Sequence, residues 1–565
     1  MKAKILVPGI IILASILSYF SAWNDAPIVD EIPHIGAGYS YVSKGDYRLN
    51  PEHPPLAKLV AGLAIAKLPF SQNIFQGPIW EKNINDQWYF GRNLLFHSGV
   101  DAQTVVRIAK APMLIFFILS ALIIYLWSRE LFGKRAGLIA LFLFSFSPTV
   151  LAHSRLVTTD MAALFGVLLA SYAFTKFLNH PSKKYVFLAG LALGTALLTK
   201  FSTFILAPFF FVVALATKSI STIGKAVIVS IVAVVFVIWP IYAFLVQGYP
   251  MERQRNDATH ILETFGNGLV KNVIIADSGI PLLRPIAQYG LGLAMVAQRS
   301  AGGNTAFFFG HNYYLGLKKY FPIVYLIKEP LAFWGLVVLS IIGFLGFRQK
   351  TEPRSKFYTY SIMILAGWLI LYWLTSITSR LNIGVRHLLP AYGATYILLA
   401  GGIERFFQSS KKKAWAVGIL CFWYFAEAII SFPHYLQYMN QAVGGPGKGY
   451  QVVADSNLDW GQDLKRLADW AVENDIPLIY LDYFGWADQA YYLKDRFKWL
   501  TAGTYLSKED FLKINPQGGY IAVSATFLTQ ANADNADPLK NYRWLENEKP
   551  IAVIGYSIFV WQIKP

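Results

Sequence analysis

The chain alternates long apolar runs with short polar clusters. After Lys2 and Lys4, residues 5–23 are apolar for about 19 positions, enough to cross a bilayer. No small-x-small cleavage site stands out in this stretch, so it reads as a retained span rather than a leader. Further runs lie at 107–128, 136–152, 161–178, 185–199, 201–217, 223–246, 322–347, 357–378, 390–406 and 414–432. Together they predict a mostly α, polytopic membrane protein with about eleven spans. Within the long connection 24–106, residues 56–68 are amphipathic and too short to cross, which suits an interfacial helix. From about residue 433 the pattern changes. GYQVVADSNLDWGQDLKRLADWAVENDIPLIYLDYFG reads strand, turn, amphipathic helix, strand, and two later strand-like runs lie at 520–527 and 551–561. The predicted organisation is a transmembrane domain over 1–432 and a small α/β domain over 433–565, with DSNLDWGQD in the turn after the first strand.

Composition agrees. Of 565 residues, 55% are hydrophobic, and mean hydropathy is +0.41. The formal charge of +17 would suggest nucleic acid in a soluble protein. Here the cations sit in short loops: Arg129, Lys134 and Arg135; Lys183 and Lys184; Lys218 and Lys225; Arg348, Lys350, Arg354 and Lys356; Arg405 and Lys411 to Lys413. All five loops fall on one side, which the positive-inside rule makes cytoplasmic. Segment 24–106 and the tail then face outside, nucleic acid is not an expected partner, and membrane lipid is. A single cysteine, Cys421, excludes both a disulfide framework and a thiolate metal cage.

The candidate chemistry gathers at the outer ends of the spans. Asp30 and Glu31 follow the first span, where a carboxylate can serve as a general base, although an acidic pair at a helix start would look the same. Asp160 ends HSRLVTTD as another span begins, where it, Thr158 or Thr159 could equally cap the helix. Lys58, Arg155, Lys200, Lys328, Arg386 and His387 form an outer-face basic set suited to phosphate oxygens; snorkelling side chains are the alternative. Lys328 with Glu329 also reads as a local ion pair. Nine histidines show no closed zinc spacing, though His34, His53, His311 and His387 could line a metal or substrate cavity, with His53 and Glu31 the candidate metal positions. In the tail, Asp459 and Trp460 fit either a polar acceptor or a plain turn and helix cap.

DEIPHIGAGYSYVSKGDYRLNPEHPPL, from Asp30 to Leu56, resembles the first outer loop of the phospholipid-carrier-dependent glycosyltransferases, a group that includes the dolichyl-phosphate-mannose–protein mannosyltransferases and the aminoarabinose transferases of lipid A. The acidic pair matches Asp30 and Glu31, the x-His/Lys-Pro-Pro-Leu stretch matches His53 to Leu56, and the second-loop aspartate matches Asp160. YFPIVYLIKEPLA, LNIGVRHLLPAY and DSNLDWGQDL look like runs of bacterial and archaeal members. The resemblance implies a GT-C fold, a polyprenyl-phosphate-linked sugar donor, a protein, lipid or glycan acceptor, and inverting attack on the extracytoplasmic face of the plasma membrane. Asp30 would be the base. Glu31, Asp160 and His53 would orient it, and Lys200, Lys328 and Arg386 would hold the phosphate. It implies no required cofactor and tolerates a divalent metal. No β-trefoil follows the membrane part. A lipid-linked-sugar transporter and a non-catalytic envelope sensor are the rival readings. The first would place polar groups at the bilayer midplane in repeated halves, a pattern not seen here.

Overall fold

A computed structural model of the protein describes residues 2–266, 268–346, 355–407 and 411–565. Arg348, Lys350 and Arg354 of the basic loops lie outside the described residues. Among the described residues, six helices are long and apolar enough to cross a membrane, or eight if two bent pairs each count as one span, against the eleven expected. The difference has local causes. The run 136–152 breaks into helices Lys134–Ser145 and Pro148–Ser154, bent by 65°, because Ser147 caps the second helix and Pro148 opens it. The run 322–347 breaks into Tyr320–Lys328 and Leu331–Gly346 at 104°, with Pro330 between them. The run 185–199 gives only a 15-residue helix, Lys183–Leu197, and Phe201–Ala216 is likewise short for a full crossing.

The connection 24–106 is a packed layer rather than an open loop. Helices Glu31–Lys44, Leu56–Ile65, Gln87–Phe96 and Ala102–Lys110 run through it. The amphipathic piece predicted at 56–68 is the second of these. It crosses the first where a Cβ on Gly38 would meet the Lys58 carbonyl carbon at 2.9 Å, and helix Gln87–Phe96 crosses the first where a Cβ on Gly36 would meet the Gly91 Cα at 2.7 Å. Only hydrogen side chains permit such backbone approach.

The tail carries most of the β structure. A hairpin in the preceding segment pairs β1 (Ala306–Phe308) with β2 (His311–Tyr313). The tail holds β3 (Ile479–Asp482), β4 (Phe497–Trp499), β5 (Gly519–Ser524), β6 (Ala552–Ile554) and β7 (Ile558–Ile563), in sheet order β4-β3-β5-β7-β6. β3 runs parallel to β4 and β5; β7 is antiparallel to β5 and β6. The expected amphipathic helix is Leu464–Glu473, which buries Leu464, Leu467 and Ala471 and leaves Trp470 half-buried. Three expectations change. The run 520–527 is a strand only to Ser524, then becomes helix Ala525–Asn532. The run 551–561 is a hairpin rather than one strand, turned where Gly555 (φ +56°) and Tyr556 (φ +63°) take left-handed backbone. The strand expected before DSNLDWGQD reduces to one bridge, Val453 with Phe308, so this segment does not sit at a strand's carboxyl end. It runs inward instead: Ala26 N donates to Gln462 O (2.8 Å) and Val29 N to Trp460 O (3.0 Å), which fastens the tail to the start of the first connection.

Candidate active site

Asp30 precedes helix Glu31–Lys44 in the capping position, yet its side chain makes no cap hydrogen bond. It faces Arg386 instead, with Arg386 Nη1 donating to Asp30 Oδ2 at 2.8 Å. The same nitrogen lies 3.5 Å from Asp160 Oδ2, and Lys200 Nζ meets Asp160 Oδ1 at 2.5 Å. Four segments separated by up to 356 positions thus supply alternating carboxylates and cations. The two carboxylates differ in access, since the Asp30 side chain is 23% exposed and that of Asp160 only 1%. Neither aspartate caps its helix; the Thr159 cap position also makes no side-chain bond.

The connection 24–106 and the loop before helix Asp160–Asn179 are stapled at one residue, Val157. Glu31 Oε1 accepts from Val157 N (3.0 Å), and His34 Nδ1 lies 2.8 Å from Val157 O. Glu31 Oε2 accepts from Ile28 N (3.0 Å) and pairs with Lys110 Nζ (3.1 Å), with both side chains buried. Glu31 therefore sets the spacing of Asp30 and Asp160, and its oxygens are already engaged. Among the described residues no group of three His, Cys, Asp or Glu side chains is placed to hold a metal ion.

The tail reaches this cluster. Arg386 Nε donates to Ser456 Oγ (3.1 Å), and its guanidinium lies 4.2 Å from the Trp460 ring centroid. Gly384 (φ +142°) lets the Arg386 turn close on Ser456, because a Cβ there would strike the hydroxyl. Asn457 fixes the same junction, accepting from Val385 N (3.0 Å) and donating to Tyr320 Oη (2.8 Å). Carboxylates on one side, a hydroxyl on another and an indole face below hold the guanidinium in one orientation.

The remaining predicted residues divide. His53 packs edge-on to His34 at 5.0 Å, and burial, aided by the Lys58, Lys200 and Arg299 charges, pushes it well below the ordinary histidine range. His387 is depressed for the same reasons, burial first and then Lys200 and Arg386, so both imidazoles are neutral near pH 7. Lys58 Nζ donates to Tyr41 Oη (2.8 Å), Asn50 O (2.7 Å), Asn50 Oδ1 (2.8 Å) and His53 O (2.6 Å), and is buried inside the connection. Arg155 pairs with Asp25 (3.1 Å), which Arg466 also binds (2.7 Å). Lys328 donates to Leu436 O and Asn457 O (both 2.7 Å), while its neighbour Glu329 is held by Ser147 and Tyr396. Asp459 is buried, with Oδ2 accepting from Thr526 N (2.9 Å), and burial pushes it up to about 8. Trp460 is buried beneath Arg386, not offered to solvent. Two participants were not among the predicted site residues. Ser456 looks like any loop serine until the fold brings it to Arg386. Arg299, exposed at the end of helix Arg284–Gly302, has a charge that reaches His53, His387 and Asp455.

Fold and site thus describe a polytopic membrane protein with a carboxylate–cation centre closed by its own tail. The family described as dolichyl-phosphate-mannose-protein mannosyltransferase matches residues 95–242, a stretch that includes Asp160 and Lys200 but not Asp30. That match agrees with the resemblance drawn from the first connection and spans well under half of the chain. No curated protein matches the chain in sequence. Among solved structures, the chain is similar to ArnT from Cupriavidus metallidurans bound to undecaprenyl phosphate, at 12% identity, 98% of this chain, 97% of that one and a TM-score of 0.49. It is also similar to the archaeal oligosaccharyltransferase AglB from Archaeoglobus fulgidus in complex with an inhibitory peptide and a dolichol-phosphate, at 14% identity, 95% and 72% coverage and a TM-score of 0.44. A third likeness is to the S. cerevisiae protein O-mannosyltransferase Pmt1-Pmt2 complex bound to the sugar donor, at 20% identity, 48% and 37% coverage and a TM-score of 0.32. Likenesses at these scores assign no residue role.

Proposed function

We propose that the chain is an integral-membrane glycosyltransferase that moves a sugar from a polyprenyl-phosphate donor to an acceptor hydroxyl on the extracytoplasmic face. The observation that carries this reading is the Asp30–Arg386–Asp160–Lys200 cluster, in which the accessible carboxylate lies beside fixed cations. Asp30 takes the acceptor's proton as its oxygen attacks the anomeric carbon. The bond from that carbon to the phosphate oxygen breaks, and polyprenyl phosphate leaves with the electron pair. Attack opposite the leaving group inverts the anomeric centre. Arg386, Lys200 and the exposed Arg299 supply positive charge to the departing phosphate. Asp160 is the partner that keeps Lys200 and Arg386 in place between turnovers. His53 and His387, being neutral, lie near Lys200 without adding charge, and the reaction as written requires no metal. The first-connection motif and the family match over 95–242 support the reading.

The test is transfer by purified protein from a synthetic polyprenyl-phosphate sugar, read by mass spectrometry of the glycosylated product and the released polyprenyl phosphate. Neither transfer nor donor hydrolysis, with donors of several sugars, would remove the enzyme reading and leave a carrier or sensor of lipid-linked sugars.

A further inference from the structure

A groove of about 480 Å³ opens between the β1–β2 hairpin and the tail sheet, within the usual size range of small-molecule sites. One wall lies at the carboxyl ends of the parallel strands, where open α/β sheets place ligands. Asp482 is the last residue of β3, Thr501 follows β4, and Phe527 and Gln530 lie on the helix after β5. Asn312 of β2 forms the other wall. This is the carboxyl-end site that DSNLDWGQD was expected to occupy, and other residues occupy it.

The groove is held open by its own bonds. Asn312 N donates to Asn535 Oδ1 (2.9 Å), Asn535 Nδ2 donates back to Asn312 O (2.8 Å), and Asn312 Nδ2 donates to Gln530 O (2.8 Å). Asn312 is 8% exposed, yet its Oδ1 has no partner among the described residues. A buried amide oxygen without a donor is an acceptor waiting for one. Asp482 also lines the groove, and Tyr542 Oη donates to its Oδ2 at 2.6 Å. Phe527, braced edge-on by Phe484 at 5.4 Å, supplies an aromatic wall. The charge is sparse: Lys540 stands against Asp482 and Asp537, with no guanidinium among the lining residues, so a phosphate or sulfate finds no fork. Amide and carboxylate acceptors, an amide donor and an aromatic face suit a ring bearing hydroxyls on its edge and C–H groups on its face.

We propose that this groove binds a neutral glycan, as the part of the acceptor held away from the reacting hydroxyl. The assignment to the acceptor rests on the transferase reading; binding itself does not. Both walls are fastened to the segment that clamps Arg386. Phe309 N donates to Val452 O (2.9 Å), Asp455 N to Thr526 Oγ1 (3.0 Å) and Thr526 N to Asp459 Oδ2 (2.9 Å), while Ser456 lies between these anchors. Occupancy of the groove is therefore coupled to the placement of the catalytic guanidinium.

The experiment is ligand-observed NMR on the full chain in detergent with mannotriose, maltotriose and N-acetylchitotriose, and with mannose 6-phosphate as the anionic probe. At least one neutral trisaccharide should bind, and mannose 6-phosphate should not. Gln530→Ala removes the side chain but keeps the backbone carbonyl that accepts from Asn312 Nδ2, and should weaken binding about 3- to 10-fold with an unchanged unfolding midpoint. Asp482→Asn, which preserves the Tyr542 contact, should weaken it similarly. Asp30→Asn should bind as the unaltered chain does. Absence of binding by all three trisaccharides, equal binding by both groove variants, or preference for the phosphorylated sugar would overturn the proposal. Normal transfer by Asp30→Asn alongside intact glycan binding would sink the catalytic assignment and leave the groove standing.

Discussion

Replacing Asp30 by asparagine separates chemistry from architecture. The carboxylate contributes no helix cap, and its part in the fold is the hydrogen bond it accepts from Arg386 Nη1. Asparagine keeps the oxygen that accepts from Arg386 Nη1, so stability should change by less than about 1 kcal/mol. What disappears is the basic lone pair. Loss of a general base costs about 10²–10⁴-fold in rate, or roughly 3–5 kcal/mol of barrier. Asp160→Asn gives the contrast. Asp160 is buried and joined to Lys200 at 2.5 Å, so breaking that pair should cost about 3–5 kcal/mol of stability and lower activity through misfolding of the site. The assay is single-turnover transfer from a synthetic polyprenyl-phosphate sugar at saturating acceptor, with thermal unfolding in the same detergent. Asp30→Asn should keep its midpoint and lose the chemical step. A rate within about threefold of the unaltered chain would refute the base assignment, because that is far below the loss any proton-accepting role entails.

Arg386→Ala should weaken donor affinity about 10-fold or more while sparing acceptor affinity, measured by donor titration of the purified protein; an unchanged donor constant would remove Arg386 from the phosphate site. Glu31→Gln should lower the unfolding midpoint, because it leaves buried Lys110 without its carboxylate and loosens the Val157 staple, at about 3–5 kcal/mol; an unaltered midpoint would show the staple to be dispensable. Asp459 holds its proton more firmly folded than unfolded, its value being pushed up to about 8 from 3.8 chiefly by burial, so it favours folding below about pH 4 and that contribution is lost as pH rises toward 8. Asp459→Asn should flatten the fall in unfolding midpoint between pH 5 and 8, and a fall as steep as in the unaltered chain would contradict a buried neutral carboxyl.

How much was legible in the sequence follows from how local each feature is. The apolar runs, the short helix Leu56–Ile65, the amphipathic helix Leu464–Glu473 and the cores of β3, β5 and β7 are fixed by neighbours a few positions away, and a period of 2 or 3.6 reveals them. The breaks at Ser147–Pro148 and Pro330 were also written there, though run length alone passed over them. Acidic residues beside a membrane span marked Asp30 and Asp160 as costly, and outer-face cations marked Lys200 and Arg386. The sequence could not separate these from Glu31, Lys58, Arg155 and Lys328, because residue type and position along the chain do not say where a partner lies. The tertiary structure decided that. Lys58 finds four oxygens inside its own connection, Arg155 finds Asp25, and Glu31 finds Val157 and Lys110, whereas Asp30 meets an arginine 356 positions away. The tail shows the same division. Its alternating strands and helix can be read from hydrophobic period, but whether Asp459 and Trp460 serve an acceptor or a turn and helix cap cannot, because their apolar and hydrogen-bonding surroundings come from the first connection and from Thr526. Burial is a property of the closed fold, and only long-range packing, which brings residues 30, 160, 200, 386 and 456 to one point, could assign it.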